Sequence, residues 1–220
     1  MSNPLSSQLS SQFSRLRGLL TPLAHSRELP LFPLNTVLFP GGRLRLKVFE
    51  ARYLDMVAEC LRLEQPFGVC LIKQGHEVGA AALPEPVGCY ARIVTADMGN
   101  PGDSPGVMQV EAHGEGRFIV EGTRLEANQL LLGQVRDKED EPAQAVPAAC
   151  QATLDFLRTV AARLPEAGLA EIRDDASWTG FRLAEVLPLK TSARQALLEM
   201  NDAVKRLEIL LEFMRLNGLA

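Results

Sequence analysis

The stretch Leu29-Pro30-Leu31-Phe32-Pro33-Leu34-Asn35-Thr36-Val37-Leu38-Phe39-Pro40-Gly41-Gly42-Arg43-Leu44 constrains the fold more than any other. Pro30, Pro33 and Pro40 lie among nearly continuous apolar residues, and each fixes φ and removes a backbone donor. The segment is therefore expected to run extended and partly unpaired, to border an edge or groove, and to turn at Pro40-Gly41. Beyond the turn, Leu44, Leu46 and Val48 alternate with Arg43, Arg45 and Lys47, as in a half-buried strand. Phe49-Glu50-Ala51-Arg52-Tyr53 then opens a helix, with the Glu50 carboxylate near the positive end of the helix dipole. Tyr53, Leu54, Val57 and Leu61, with Cys60, form its apolar face, and Pro66 stops it.

From Glu28 to about Asp137 the hydrophobic period is two. Strands are expected at Phe67 to Ile72, Tyr90 to Thr95, Val107 to Ala112, Arg117 to Glu121 and Leu130 to Val135. Turn signals separate them: Gly99-Asn100-Pro101-Gly102, Gly114-Glu115-Gly116 and Glu121-Gly122-Thr123. Many short, regularly punctuated strands argue for a barrel or two packed sheets. Lys138 to Pro147 reads as a charged connector, after which the period becomes 3.6. Leu154, Leu157, Val160, Ala161 and Leu164 form one helical face, ended by Pro165. Ser177, Ser192 and Asp202 are placed to cap three further helices. The spacing of Leu197, Met200, Val204, Leu207, Leu211 and Met214 also allows one continuous helix there. Gly218 is the expected stop. The fold class is α+β, a β domain followed by a helical bundle.

Several function classes are disfavoured at this stage. The net charge of −4 argues against a phosphate backbone as partner. No apolar run approaches the roughly 18 residues of a membrane span. Residues 1–26 lack the pattern of a secretory signal; Leu9, Phe13, Leu16 and Leu20 instead recur at helical spacing. That stripe is read as a leader that docks on the domain, with a contact to a second copy as the sharper alternative. Four separated cysteines suit a reducing, cytoplasmic compartment. Gly102-Asp103-Ser104-Pro105-Gly106 matches G-x-S-x-G, but Pro105 has no N–H for an oxyanion, so a loop is expected. His25, His76 and His113 lack partners at metal-ligand spacing, and no phosphate-cradling glycine loop occurs. No pattern points to a cofactor, a metal or a catalytic residue. His113 is expected to form a surface pair with Glu111 or Glu115.

The order of motifs carries more information than any one of them. P-L-F-P-L at Pro30 to Leu34, P-G at Pro40-Gly41, the strand after it, and F-E-x-R-Y at Phe49 to Tyr53 come in succession. Gly88-Cys89-Tyr90-Ala91-Arg92-Ile93, Gly116-Arg117-Phe118, Leu187-Pro188-Leu189-Lys190, Arg194-Gln195-Ala196-Leu197-Leu198-Glu199 and Asp202 to Leu207 follow. Together, over about Glu28 to Met214, they resemble the Lon protease N-terminal, substrate-binding domain family, which also occurs as stand-alone proteins. Arg194 stands where that family prefers Lys, and Cys89 where Thr is common.

The resemblance implies a PUA-like β-barrel at 27–138, a linker at 139–147 and a helical bundle at 148–220, after a leader at 1–26. It implies a non-enzymatic module that binds unfolded or exposed protein segments, without ATPase or protease domains. An RNA-binding module on the same barrel is the alternative, disfavoured by the acidic balance and few aromatics. Unpaired edge groups and apolar side chains are what an extended peptide needs. Leu34, Phe39, Glu50, Arg52 and Tyr53 are therefore the candidate peptide-binding residues. The bland reading of Glu50, Arg52 and Tyr53 is an ion pair and a packed ring that tie the helix to the barrel.

Overall fold

The computed structural model describes residues 26–99, 106–164, 169 and 171–219. The expected amphipathic stripe before Ser26, the loop around Ser104 and the stop at Pro165 lie outside them. Six strands are described: β1 (Arg27–Leu34), β2 (Arg43–Val48), β3 (Phe67–Gln74), β4 (Leu83–Met98), β5 (Met108–Leu125) and β6 (Leu131–Asp137). Helix α1 (Ala51–Leu63) lies between β2 and β3, and four more follow the strands: α2 (Gln151–Arg163), α3 (Ala176–Val186), α4 (Thr191–Glu199) and α5 (Ala203–Leu216). The fold is a mixed α+β arrangement with one six-stranded sheet.

The sheet order is β2-β5-β4-β3-β1-β6, and β5 also pairs with β6. β1 and β3 are parallel, so the chain must cross over between them, and β2 with α1 is that crossover. β1 is thus an interior strand, so of the expected edge or groove it can border only a groove. Its prolines are accommodated by a division of partners. Arg27 to Leu31 pair with β6, and Leu31 to Leu34 pair with β3, so each proline has only one strand in register. Leu29 and Leu31 face one apolar cluster while Phe32 and Leu34 face another, so β1 is apolar on both sides.

The expected strands at 107–112 and 117–121 are one continuous strand, and Gly114-Glu115-Gly116 is no turn. Gly114 is there for close approach. A Cβ on it would sit 2.1 Å from the Phe39 carbonyl oxygen. The Gly41 N–H donates to the Gly114 carbonyl, and the Gly114 N–H donates to the Gly42 carbonyl, both at 2.8 Å. The Pro40 turn is thereby stitched into β5, with Gly41 at φ +73°. Gly122 also stays within the strand, at a register shift between β5 and β6.

Capping departs from the serine expectations. Asp175, not Ser177, caps α3 by accepting from the Trp178 N–H at 2.7 Å. Ser192 lies inside α4, which starts without a side-chain cap. Asp202 caps α5 through the Lys205 N–H, and Gly218 at φ +67° follows its end. The single-helix alternative fails at Met200, whose extended backbone separates α4 from α5. On α1 the buried residues are Arg52, Tyr53, Met56, Val57 and Cys60, while Leu61 is exposed.

Helices and sheet meet at a buried ionic centre. Arg206 on α5 donates Nη1 to Glu141 Oε2 at 2.8 Å and Nη2 to the other Glu141 oxygen. Arg117 on β5 lies 3.3 Å from the same carboxylate. All three side chains are at most 3% exposed. The guanidinium groups also take carbonyls that the end of α4 leaves unpaired: Leu197 and Met200 bond Arg206, Leu198 and Met200 bond Arg117. Both cations lie near the Phe181 ring, at 4.1 and 5.5 Å. Glu141 belongs to the segment that reads as a charged connector.

A second tie runs from α3 to the Pro40 turn. Arg182 donates to the Gly41 carbonyl at 2.9 Å and the Pro40 carbonyl at 2.7 Å, and pairs with Glu185 at 2.6 Å. A Cβ on Gly42 would collide with Glu185 Oε1 at 2.1 Å.

The two carboxylates titrate in opposite senses. Burial raises Glu141, but hydrogen bonds from Arg206 and the Arg206 and Arg117 charges outweigh it and hold it below the usual range. Its stabilisation is full above the unfolded pKa and is lost as pH falls through the depressed folded value. Burial pushes Glu185 up to about 7 despite Arg182 and Arg194. The native state then binds the extra proton, so this group lowers stability as pH rises from about 4.5 to 7. Glu141→Gln should therefore cost about 3–5 kcal/mol at neutral pH and less in acid. Glu185→Gln should flatten the slope between those two pH values. Urea denaturation of both variants across pH checks this; a Glu141→Gln protein as stable as wild type at neutral pH would refute it.

Candidate functional site

β2 is hydrogen-bonded on one side only, to β5. Along its other side runs a cleft of about 170 Å³, to which Arg45, Leu46, Lys47, Val48 and Phe49 all contribute. Successive side chains of a strand point to opposite faces, so five consecutive residues can share a cleft only along the strand's edge. The opposite wall comes from Phe32 and Leu34 at the end of β1 and from Tyr53 on the first turn of α1. Glu77 and Val78, from the β3–β4 loop, close one end.

The cleft has an apolar floor and mixed rims. Phe32 and Tyr53 stack with centroids 3.9 Å apart and planes within 9°. Phe49 is 54% exposed and Val78 60%, an apolar pair left open to water. Arg45 and Lys47 supply positive charge, Glu50 and Glu77 negative. Glu77 accepts from the Asn35 N–H and so fastens the loop to the end of β1. Burial raises the Tyr53 phenol above its ordinary value, so it stays protonated.

The structure brings three of the five candidate residues, Leu34, Glu50 and Tyr53, to this cleft. Arg52 stands behind it. Its Nη2 donates to Glu50 at 2.8 Å, its Nη1 to the Gln129 carbonyl at 3.2 Å, and its guanidinium lies 4.7 Å from the Tyr53 ring centroid. Glu50 makes no side-chain cap on α1; its carboxylate serves Arg52 instead. Phe39 lies elsewhere, fully buried in the helical core, 5.6 Å from the Phe181 ring. Glu77 and Val78 were outside the sequence expectation. The only local signal was an apolar residue, Val78, inside the polar, glycine-flanked loop Gly75 to Gly79.

No cysteine or histidine lines this cleft. Cys60 is pushed up to about 11 by burial, and burial raises Cys70, Cys89 and Cys150 as well. None is therefore an activated thiolate. His113 lies 3.8 Å from Glu111 on the surface, whereas Glu115 pairs with Arg92. Among the described residues no group of three or more His, Cys, Asp or Glu side chains could hold a metal. None of the helices described is long and apolar enough to cross a membrane.

Comparison with known proteins places the chain in a family. Residues 28–215 match the family model for the ATP-dependent protease La (LON) substrate-binding domain. The crystal structure of a Lon N-terminal domain protein from Xanthomonas campestris is 36% identical, with a TM-score of 0.70 over 84% of this chain and 98% of that one. The N-terminal domain of Mycobacterium avium complex Lon protease shares the fold at 17% identity, with a TM-score of 0.57 over 86% and 98% of the two chains. No curated protein sequence matches the chain.

Arg52 is 6% exposed and serves the Glu50 carboxylate, the Gln129 carbonyl and the Tyr53 ring together. Arg52→Ala should cost about 1.5–3 kcal/mol, the range for hydrogen bonds to charged groups. Glu50→Gln keeps an acceptor and should cost less. Thermal or urea unfolding of the two variants tests the order; equal or inverted costs would show that Arg52 and its partners do not anchor α1.

Proposed function

Because the chain belongs to the ATP-dependent protease La (LON) substrate-binding domain family, we propose that it captures exposed, extended apolar segments of other proteins along the free edge of β2, without chemistry of its own. The observation that carries this reading is an unpaired strand edge beside open apolar side chains, Phe49 and Val78. An extended peptide pairing with β2 gains backbone hydrogen bonds for affinity and side-chain pockets for selectivity. The cleft beside Phe32, Leu34 and Tyr53 supplies such a pocket, with Glu50 on its rim and Arg52 holding Glu50 in place. Arg45 and Lys47 guard the edge against like copies of itself and favour peptides with acidic flanks.

The sheet is, on this reading, a PUA-like barrel. The support is the circuit of pairings β5-β4-β3-β1-β6 and back to β5, which β2 joins from outside. Four free, buried cysteines suit work in the reducing cytoplasm.

Titrating isotope-labelled protein with an unfolded apolar peptide should shift amides from Leu34 to Tyr53 and at Glu77 and Val78. Phe49→Ser should weaken binding about 10–100-fold, since burying a Phe side chain yields about 1.5–3 kcal/mol. Methylating alternate peptide nitrogens should weaken it further by removing edge donors. Shifts confined to the helices after Pro147 would place recognition there and end the proposal. Tight, salt-resistant binding of a defined RNA would replace it with the nucleic-acid reading.

A further inference from the structure

A second cleft, of about 270 Å³, lies between α1 and the turn joining β5 to β6. Its floor is apolar: Met56, Cys60 and Leu63 from α1, Leu130 and Leu132 from the far side, and Pro30 of β1. Its rim is acidic, with Asp55, Glu59 and Glu126, and no Lys or Arg lines it. Glu59 is partnered by Arg62 and Glu126 by Arg124, but Asp55 makes no ion pair among the described residues. A cavity of roughly 150 Å³ already admits a benzene-sized group, so this one takes one or two large apolar side chains.

The chain carries a segment of matching chemistry. Residues 1–26 contain Arg15 and Arg17 and no acidic residue, in a protein whose net charge is −4. Leu9, Phe13, Leu16 and Leu20 recur there at steps of four, three and four. The attachment point is close. Ser26 accepts a hydrogen bond from Gln134 beside the start of β1, and Pro30, four residues on, is part of the cleft wall. Four strand residues span about 13 Å, and the five residues from Thr21 to His25 reach up to about 17 Å. Leu20 can therefore meet the cleft without strain on β1.

We infer that the chain's own Leu9–Leu20 segment seats one or two of its large apolar side chains in this cleft, with Arg15 and Arg17 against Asp55, Glu59 and Glu126. The cleft beside β2 suits the segment less well, because Arg45 and Lys47 stand on its rim. The contact is intramolecular and distinct from the proposed client site.

Methyl NMR spectra of the full chain and of a variant lacking residues 2–20 test the assignment. Deletion should shift the Met56, Leu63, Leu130 and Leu132 methyls and leave Leu183 and Leu207, deep in the helical core, in place as a check on folding. Arg15→Glu with Arg17→Glu should reproduce those shifts. Adding Asp55→Lys and Glu126→Lys to that pair should restore the full-chain positions. Cleft methyls that do not respond to deletion would overturn the inference. So would shifts gathered at the Leu46, Val48 and Val78 methyls of the cleft beside β2, or full-chain signals that change with protein concentration, which would mark a second copy as the occupant.

Discussion

Burying Glu141 between Arg117 and Arg206 takes three charges out of water, a loss recovered only when each finds its full set of partners. The fold supplies them. The carboxylate accepts from Arg206 through both oxygens, and the spare donors of both cations go to carbonyls at the end of α4. The Phe181 ring fills the space against both guanidinium groups. Even Gly180 fits this plan, since a Cβ there would come within 2.9 Å of the Arg206 side chain. One residue from β5, one from the connector and one from α5 thus fix the helices against the sheet. A partial assembly leaves an uncompensated buried charge, so docking of the two parts is close to all-or-none.

The alternation of Leu44, Leu46 and Val48 and the cap at Asp202 were readable because each is a local rule of spacing or side-chain chemistry. The stop at Gly218 belongs to the same class. What escaped was decided at a distance. Nothing near Gly114 announces that it must admit the Phe39 carbonyl, so two glycines in three residues looked like a turn. Glu141 sits in Lys138-Glu139-Asp140-Glu141-Pro142, where every neighbour suggests solvent. Its burial depends on Arg206, 65 residues further on. The same limit applied to the candidate site. Phe39 and Tyr53 look alike as aromatic residues in one motif stretch, but the turn at Pro40 sends the first into the helical core and leaves the second beside β2. The order of motifs, by contrast, was a strong signal, because Pro40-Gly41, Arg117 and Arg206 secure contacts between remote parts, as does Gln195, whose side-chain amide donates to the Val87 carbonyl at 3.0 Å.

The two clefts differ in the kind of order they can impose on a partner. The one beside β2 offers a backbone edge, so it can accept many sequences that are extended and sufficiently apolar. The one beside α1 offers side chains only, an apolar floor within carboxylates, and so in its proposed role would select by charge and by the spacing of large side chains. On the proposed reading both surfaces draw on the same helix: Tyr53 on its first turn belongs to the first, and Asp55 to Leu63 supply the second. Arg52, between them, bonds to Glu50 on one rim and to the Gln129 carbonyl beside the other.

The division of partners along β1 has a bearing on how the chain survives its own synthesis. β1 leaves the ribosome before its partners, apolar on both faces: β3 comes more than thirty residues later and β6 about a hundred. In that interval Leu29 to Leu34 is the sort of segment that pairs with copies of itself. Pro30 and Pro33 deny it the regular run of donors that a growing cross-β stack requires. In the finished fold the same two gaps do no harm, because each falls where a single neighbour is in register. The prolines therefore act as gatekeepers against aggregation during the period when the strand has no proper partner.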